Sequence, residues 1–87
     1  MPADFQNLAA VAQTAFEESA QREVSQEAKN AYEFSQKQFA SGLIDIDTVL
    51  SAERALFSAN DALIQAKLSH LHALISLAKA LGGGWRN

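Results

Sequence analysis

Through the second half of the chain an alanine returns at every seventh position: Ala52, Ala59, Ala66, Ala73 and Ala80. Larger side chains keep step at Val49, Leu56, Leu63 and Leu77, with His70 in the remaining place. A repeat of 3.5 residues is a heptad seam and predicts a long helix lying nearly parallel to another helix. The alanines let the partner backbone approach closely. A second stripe lies one residue along, at Leu50, Phe57, Ile64, Leu71 and Ala78. Two adjacent stripes exceed what one partner needs, so the pattern points to a bundle or a closed ring of helices.

The first half reads as helix for other reasons. Proline occurs only at position 2 and no glycine precedes Gly42. Ala, Gln and Glu, all good helix formers, dominate from Asp4 to Ala40. Apolar or small residues recur at Phe5, Leu8, Ala12, Ala15/Phe16, Ala20, Val24, Ala28, Ala31, Ser35 and Phe39, stepping by three or four with slips. Stripes of this kind are read as packing faces.

Ser41-Gly42-Leu43-Ile44-Asp45 is the one interior interruption. Gly42 can adopt the left-handed conformation that ends a helix. Asp45 can cap the next, with Asp47 at its positive end. The expected organisation is a single all-α unit over residues 1–87. A first helix covers about 4–40, with Asp4 as N-cap or first-turn acid. The tip covers 41–45 and the second helix about 46–81. Gly82 terminates it at C′, Lys79 complements its negative end, and 82–87 form an irregular tail. A short turn makes the helices antiparallel neighbours. In register, Val24–Ala28 faces Leu56–Ala62 and Leu8 lies near Leu77. The expected fold is a long antiparallel two-helix coiled-coil hairpin that associates into a helical bundle, because an alanine-rich core in 87 residues is thin.

Composition narrows the function. There is no cysteine, so disulfides and thiolate metal sites are excluded. The net charge of −3 comes from interspersed acids and bases, with no basic stripe for nucleic acid. The start lacks the basic and apolar regions of a signal peptide. The most apolar stretch, Ala62–Leu81, holds Gln65, Lys67, His70, His72 and Lys79, too polar for a bilayer span. The chain itself is therefore expected to be soluble.

Catalytic chemistry finds little footing. His70 and His72, two apart on a helix, point to different faces and do not chelate one ion. His70 occupies a seam place and reads as a packed or water-bridged side chain. Glu17-Glu18 read as surface charge and Asp45/Asp47 as end-capping, the alternative for Asp45 and Asp47 being charge at a tip that meets a partner. Paired catalytic carboxylates need a concave desolvated site that a two-helix rod lacks. Gly82-Gly83-Gly84 follows a helix and precedes no Lys-Ser/Thr, so it is no phosphate loop. No catalytic residue, metal ligand or cofactor is expected. Trp85, beyond the glycines, either packs back on the helix end or belongs to a larger structure.

Two segments carry a resemblance. Tyr32-Glu33-Phe34-Ser35-Gln36-Lys37-Gln38-Phe39-Ala40-Ser41-Gly42 leads into Asp45-Ile46-Asp47-Thr48-Val49-Leu50-Ser51-Ala52-Glu53-Arg54-Ala55-Leu56, and Leu77-Ala78-Lys79-Ala80-Leu81 ends in Gly82-Gly83-Gly84-Trp85. The first has an aromatic-x-x-Gly tip followed by Val-Leu-x-Ala-(Glu/Gln)-Arg. Together they resemble the C-terminal helical hairpin of TolC/OprM-type outer-membrane efflux proteins. The resemblance runs from around Asp4 to Trp85 and is sharpest from Tyr32 on.

What it implies is specific. Members of that family are trimers with a β-barrel in the outer membrane and a helical barrel in the periplasm. They are exit ducts of tripartite pumps. Ala40, Ser41, Gly42, Leu43 and Ile44 would form the tip that docks a periplasmic adaptor and, through it, an inner-membrane pump. Thr48 and Ser51 would line the entrance. Ser51 stands where the family often has an acid, and Thr48 is also uncharged, so the resemblance does not extend to an acidic ring there. Phe39 stands where tyrosine is common. One hairpin without strands is a piece of a duct, either excised or from a truncated gene. In the parent, membrane contact would come from the β-barrel. The alternative reading is a free-standing coiled-coil hairpin acting as a structural or protein-interaction module.

Overall fold

The computed structural model describes the backbone of residues 2–86 and the side chains of residues 5–82. Two helices account for nearly all of it: α1, Pro2–Ala40, and α2, Ile46–Arg86. They pack side by side as an antiparallel hairpin measuring 66 × 19 × 13 Å. The all-α hairpin expected from the sequence is the fold observed.

The helix ends differ from expectation at both outer termini. α1 starts at Pro2, two residues earlier than expected, which makes Asp4 the first-turn acid rather than the N-cap of the two places expected for it. Proline suits the first helical position: its missing N–H would be unpaired there in any case, and its φ is already helical. α2 does not stop at Leu81. It continues through Gly82–Gly84 to Arg86, so Gly82 is an interior helical residue and the irregular tail over 82–87 is not what the backbone shows up to Arg86. Glycine costs a helix only about 1 kcal/mol per residue and has no steric bar to continuing it. The packing expected of Trp85 falls outside the described side chains.

The seam of α2 is the one read from the heptads. Val49 is 7% exposed, Ala59 and Ala73 are buried with it, and Ala52, Leu56, Leu63, Ala66, His70 and Leu77 are half-buried. Ala80, the last of the series, is exposed.

α1 contradicts the apolar reading. Its buried and half-buried positions are Asn7, Val11, Thr14, Glu18, Gln21, Ser25, Ala28, Tyr32, Ser35 and Gln38. Those ten positions fall in nine steps over 31 residues, a repeat of about 3.4 and close to the 3.5 of a coiled-coil seam, and most are polar. Phe5, Leu8, Phe16, Val24 and Phe39 from the expected stripe are exposed. The reason is a mismatch of periods. The apolar stripe takes nine steps over the 34 residues from Phe5 to Phe39, about 3.8 residues per step, against 3.5 for a coiled-coil seam. It therefore drifts across the helix and coincides with the seam only near Ala28 and Ser35. The register survives although the face does not: Thr14 meets His70 and Ser25 meets Asn60 across the hairpin.

A polar seam is tolerable because its groups are satisfied. The Ser35 hydroxyl donates to the Tyr32 carbonyl at 2.7 Å, and the Ser25 hydroxyl donates to the Asn60 side-chain oxygen. Among the described residues no buried side-chain polar atom lacks a partner. Thr14 Oγ1 lies 2.7 Å from the Ala10 carbonyl and 2.9 Å from His70 Nδ1. Its one hydrogen goes to the carbonyl, which can only accept, so His70 Nδ1–H donates to Oγ1. Here is the packed histidine expected at that seam place.

The cost of this arrangement is exposure. All five phenylalanines (Phe5, Phe16, Phe34, Phe39, Phe57) are exposed, as is the second stripe of α2. The accessible surface is 6326 Å². A compact chain of 9.4 kDa would show about 5,000 Å². The hairpin is one layer awaiting further packing.

Candidate functional site: the hairpin tip

The tip is built by one glycine. Gly42 has φ +79°, and among the described residues it is the one backbone in the left-handed region. Its N–H donates to the Phe39 carbonyl at 3.0 Å, and the Leu43 N–H donates to the Gln38 carbonyl at 2.9 Å. These two bonds are the pair of a Schellman cap, with Gly42 at C′ and Leu43 at C″. Such a cap commonly folds its C″ side chain back on the helix. Leu43 does not fold back: it is 72% exposed.

The return helix is capped by Asp45. The Thr48 N–H donates to Asp45 Oδ1 at 3.1 Å, and the Thr48 hydroxyl donates to the same oxygen at 3.0 Å. The Thr48 backbone bond, then its hydroxyl, hold the Asp45 carboxyl below its ordinary range. Asp47 follows in the first turn, where a negative charge favours the helix dipole. The turn is fixed on both sides by bonds that use no partner.

The residues expected at the tip are brought together. Ala40 closes α1; Ser41, Gly42 and Leu43 are exposed; Ile44 is half-buried. Thr48 and Ser51 are exposed one and two turns into α2, although Thr48 also serves the cap. The sequence reading left out Ile46 from the site. Ile46 and Phe39 are exposed beside Leu43, so the tip carries three apolar side chains on a fixed turn. The aromatic-x-x-Gly pattern flagged Phe39; an isoleucine opening a helix gave no signal.

Elsewhere the surface offers little chemistry. A groove of about 520 Å³ runs between the helices, lined by Arg22, Lys29, Tyr32, Glu33, Leu56 and Asn60 among others. It contains one carboxylate, no histidine, and opens to solvent. The one ion pair found among the described residues joins Arg22 to Glu18 within a helix turn. No cluster of three metal-ligating residues occurs among the described residues. No helix among them is long and apolar enough to cross a membrane.

Comparison with known proteins supplies the family. The family model described as outer membrane efflux protein matches residues 5–83. The chain is 42% identical over 76 residues to a probable efflux pump outer membrane protein, TtgC, of Pseudomonas putida, covering 85% of the chain and 16% of the relative. It is 37% identical over 67 residues to a pyoverdine export outer membrane protein, OpmQ, of Pseudomonas aeruginosa, covering 77% and 14%. The same identity and coverage hold for a solvent efflux pump outer membrane protein, SrpC, of Pseudomonas putida. The chain thus spans between 14% and 16% of the length of these relatives. No solved structure matches it.

Proposed function

Because the chain belongs to the outer membrane efflux protein family, we propose that it forms one periplasmic helical hairpin of an efflux duct, with the turn at Gly42 as its docking end. The partner is a periplasmic adaptor and, through it, an inner-membrane pump. The parent duct sits in the outer membrane through a β-barrel, and the hairpin is its periplasmic portion. The role is conduit and contact, with no catalysis and no cofactor.

The carrying observation is the exposure of Leu43, Ile46 and Phe39 on a turn whose own hydrogen bonds are complete. An apolar group held out on a preformed turn costs little ordering when a partner covers it. Thr48 and Ser51 lie just behind, small and uncharged, suited to the wall of an entrance.

Gly42→Asp in the full-length parent tests this reading. No atom lies within 4 Å of a Cβ built at Gly42, and Asp tolerates the left-handed conformation better than most residues. The variant should keep its helices and its place in the membrane, yet lose co-purification of the adaptor. Leu43→Asp should do the same without touching the glycine. Full adaptor retention by both, with both folded, would refute the docking role.

A further inference from the structure

The seam alanines of α2 divide its surface into two unlike sides. At 3.6 residues per turn, the residues just before and just after each alanine stand about 100° to either side of it. Before Ala52, Ala59, Ala66 and Ala73 come Ser51, Ser58, Gln65 and His72, all exposed. After them come Glu53, Asn60, Lys67 and Leu74. Asn60 lines the groove between the helices together with Arg22, Lys29 and Glu33 of α1, so the second set marks the groove face and the first the opposite face. From Thr48 to Ala78, α2 holds four residues of the Asp, Glu, Lys and Arg types, namely Glu53, Arg54, Asp61 and Lys67. None of them belongs to the line from Ser51 to His72. Thr48, Ala55, Ala62, Ser69 and Ser76, which stand between that line and the seam, are uncharged too. An exposed helix face ordinarily favours Glu and Lys, which hold a helix better than serine does. A close-packing stripe would hold small residues throughout, and Gln65 and His72 are not small. Neighbouring helices have the apolar edge at Phe57 and Ile64 to pack on, which leaves the uncharged line to water.

We propose, resting on the duct reading above, that α2 lines the lumen with Ser51, Ser58, Gln65 and His72 and turns its groove face outward. Thr48 and Ser51, assigned to the entrance wall, begin this same face, and the line carries the wall on from there. From Ser51 to His72 it rises about 32 Å at 1.5 Å per residue. Charge is what a narrow lumen feels most. Walls of low dielectric focus a fixed charge onto the path, and copies of that charge around a ring repel one another. Hydroxyl, amide and imidazole groups both donate and accept hydrogen bonds, so polar solutes of either sign find partners along the line. The wall that α2 contributes therefore passes polar solutes with little regard to the sign of their charge.

Ser58 and Asn60, two residues apart on opposite faces, test it in the full-length parent reconstituted in a planar bilayer. This stretch has no cysteine, and any elsewhere in the parent are replaced first. Ser58→Cys, treated with a negatively charged thiol reagent that does not cross membranes, should lose conductance. Asn60→Cys, treated alike, should keep it. Gln65→Cys and His72→Cys should repeat the loss at greater heights. Reversal potentials give a second readout that needs no reagent. Ser58→Asp should shift the pore toward cations, while Asn60→Asp, which keeps an oxygen to accept from Ser25, should leave selectivity where it was. A response at Asn60 with silence at Ser58 would reverse the orientation and overturn the proposal. Silence at both, or an equal response at both, would overturn it as well, with the duct reading intact. A parent that forms no conducting pore would remove the duct reading itself, and this inference with it.

Discussion

Replacing Gly42 by alanine isolates the force that turns the chain. At φ +79° an L-residue with a Cβ is strained by its own backbone. That strain amounts to about 1–2 kcal/mol. Nothing stands within 4 Å of the new Cβ, so no clash adds to it. Alanine also stiffens the unfolded chain, which returns up to about 1 kcal/mol. The expected net loss is about 1 kcal/mol. In a chain of this size that lowers Tm by about 4–8 °C. Gly42→Asn should lose less, because asparagine tolerates the left-handed region. The assay is thermal melting followed at 222 nm, with all proteins at one concentration because association contributes to apparent stability. If alanine melts like glycine, or if asparagine loses as much as alanine, the cap geometry is wrong.

Three further outcomes follow from the packing. Thr14→Val removes the acceptor of His70 Nδ1–H and should destabilise by about 1 kcal/mol, while adding His70→Leu should recover most of the loss in a double-mutant cycle of melts. Asp45 has its carboxyl held below the ordinary value of 3.8, so its contribution is complete above that pH and is lost as pH falls through the lower folded value. Helicity of the native chain should therefore drop below about pH 4 more than that of Asp45→Asn, which keeps a capping oxygen that does not titrate. Gly83→Ala should raise Tm by a few degrees, as a helix-interior glycine replaced by alanine gains about 1 kcal/mol, whereas a fall in Tm would return the end of α2 to Leu81.

The two helices were not equally legible. The seam of α2 was plain because one repeat of 3.5 runs unbroken from Val49 to Leu77, and burial at Val49, Ala59 and Ala73 follows it. The seam of α1 was hidden because hydrophobicity marks a different face. Asn7, Thr14, Gln21 and Ser25 carry no apolar signal, and their fitness for the seam depends on partners such as His70 and Asn60, distant in sequence. The turn was legible from Gly42 and Asp45, whose roles are local. The outward aim of Leu43 was not, since a Schellman cap ordinarily draws that side chain inward. The continuation of α2 past Gly82 was missed because glycine after a helix reads as a stop. The backbone penalty is small enough for the helix to run on.

Everything functional depends on the reversal at Gly42, and a distance measurement decides it. Spin labels at Gln13→Cys and His72→Cys, diluted with unlabelled chain, sit at nearly the same level of the hairpin as the Thr14–His70 contact. With helix axes about 8–10 Å apart, the labels should be separated by about 20 Å. A single helix running through Gly42 would put them about 89 Å apart at 1.5 Å per residue, and a distribution at that long distance would contradict the fold, the tip and the docking role together.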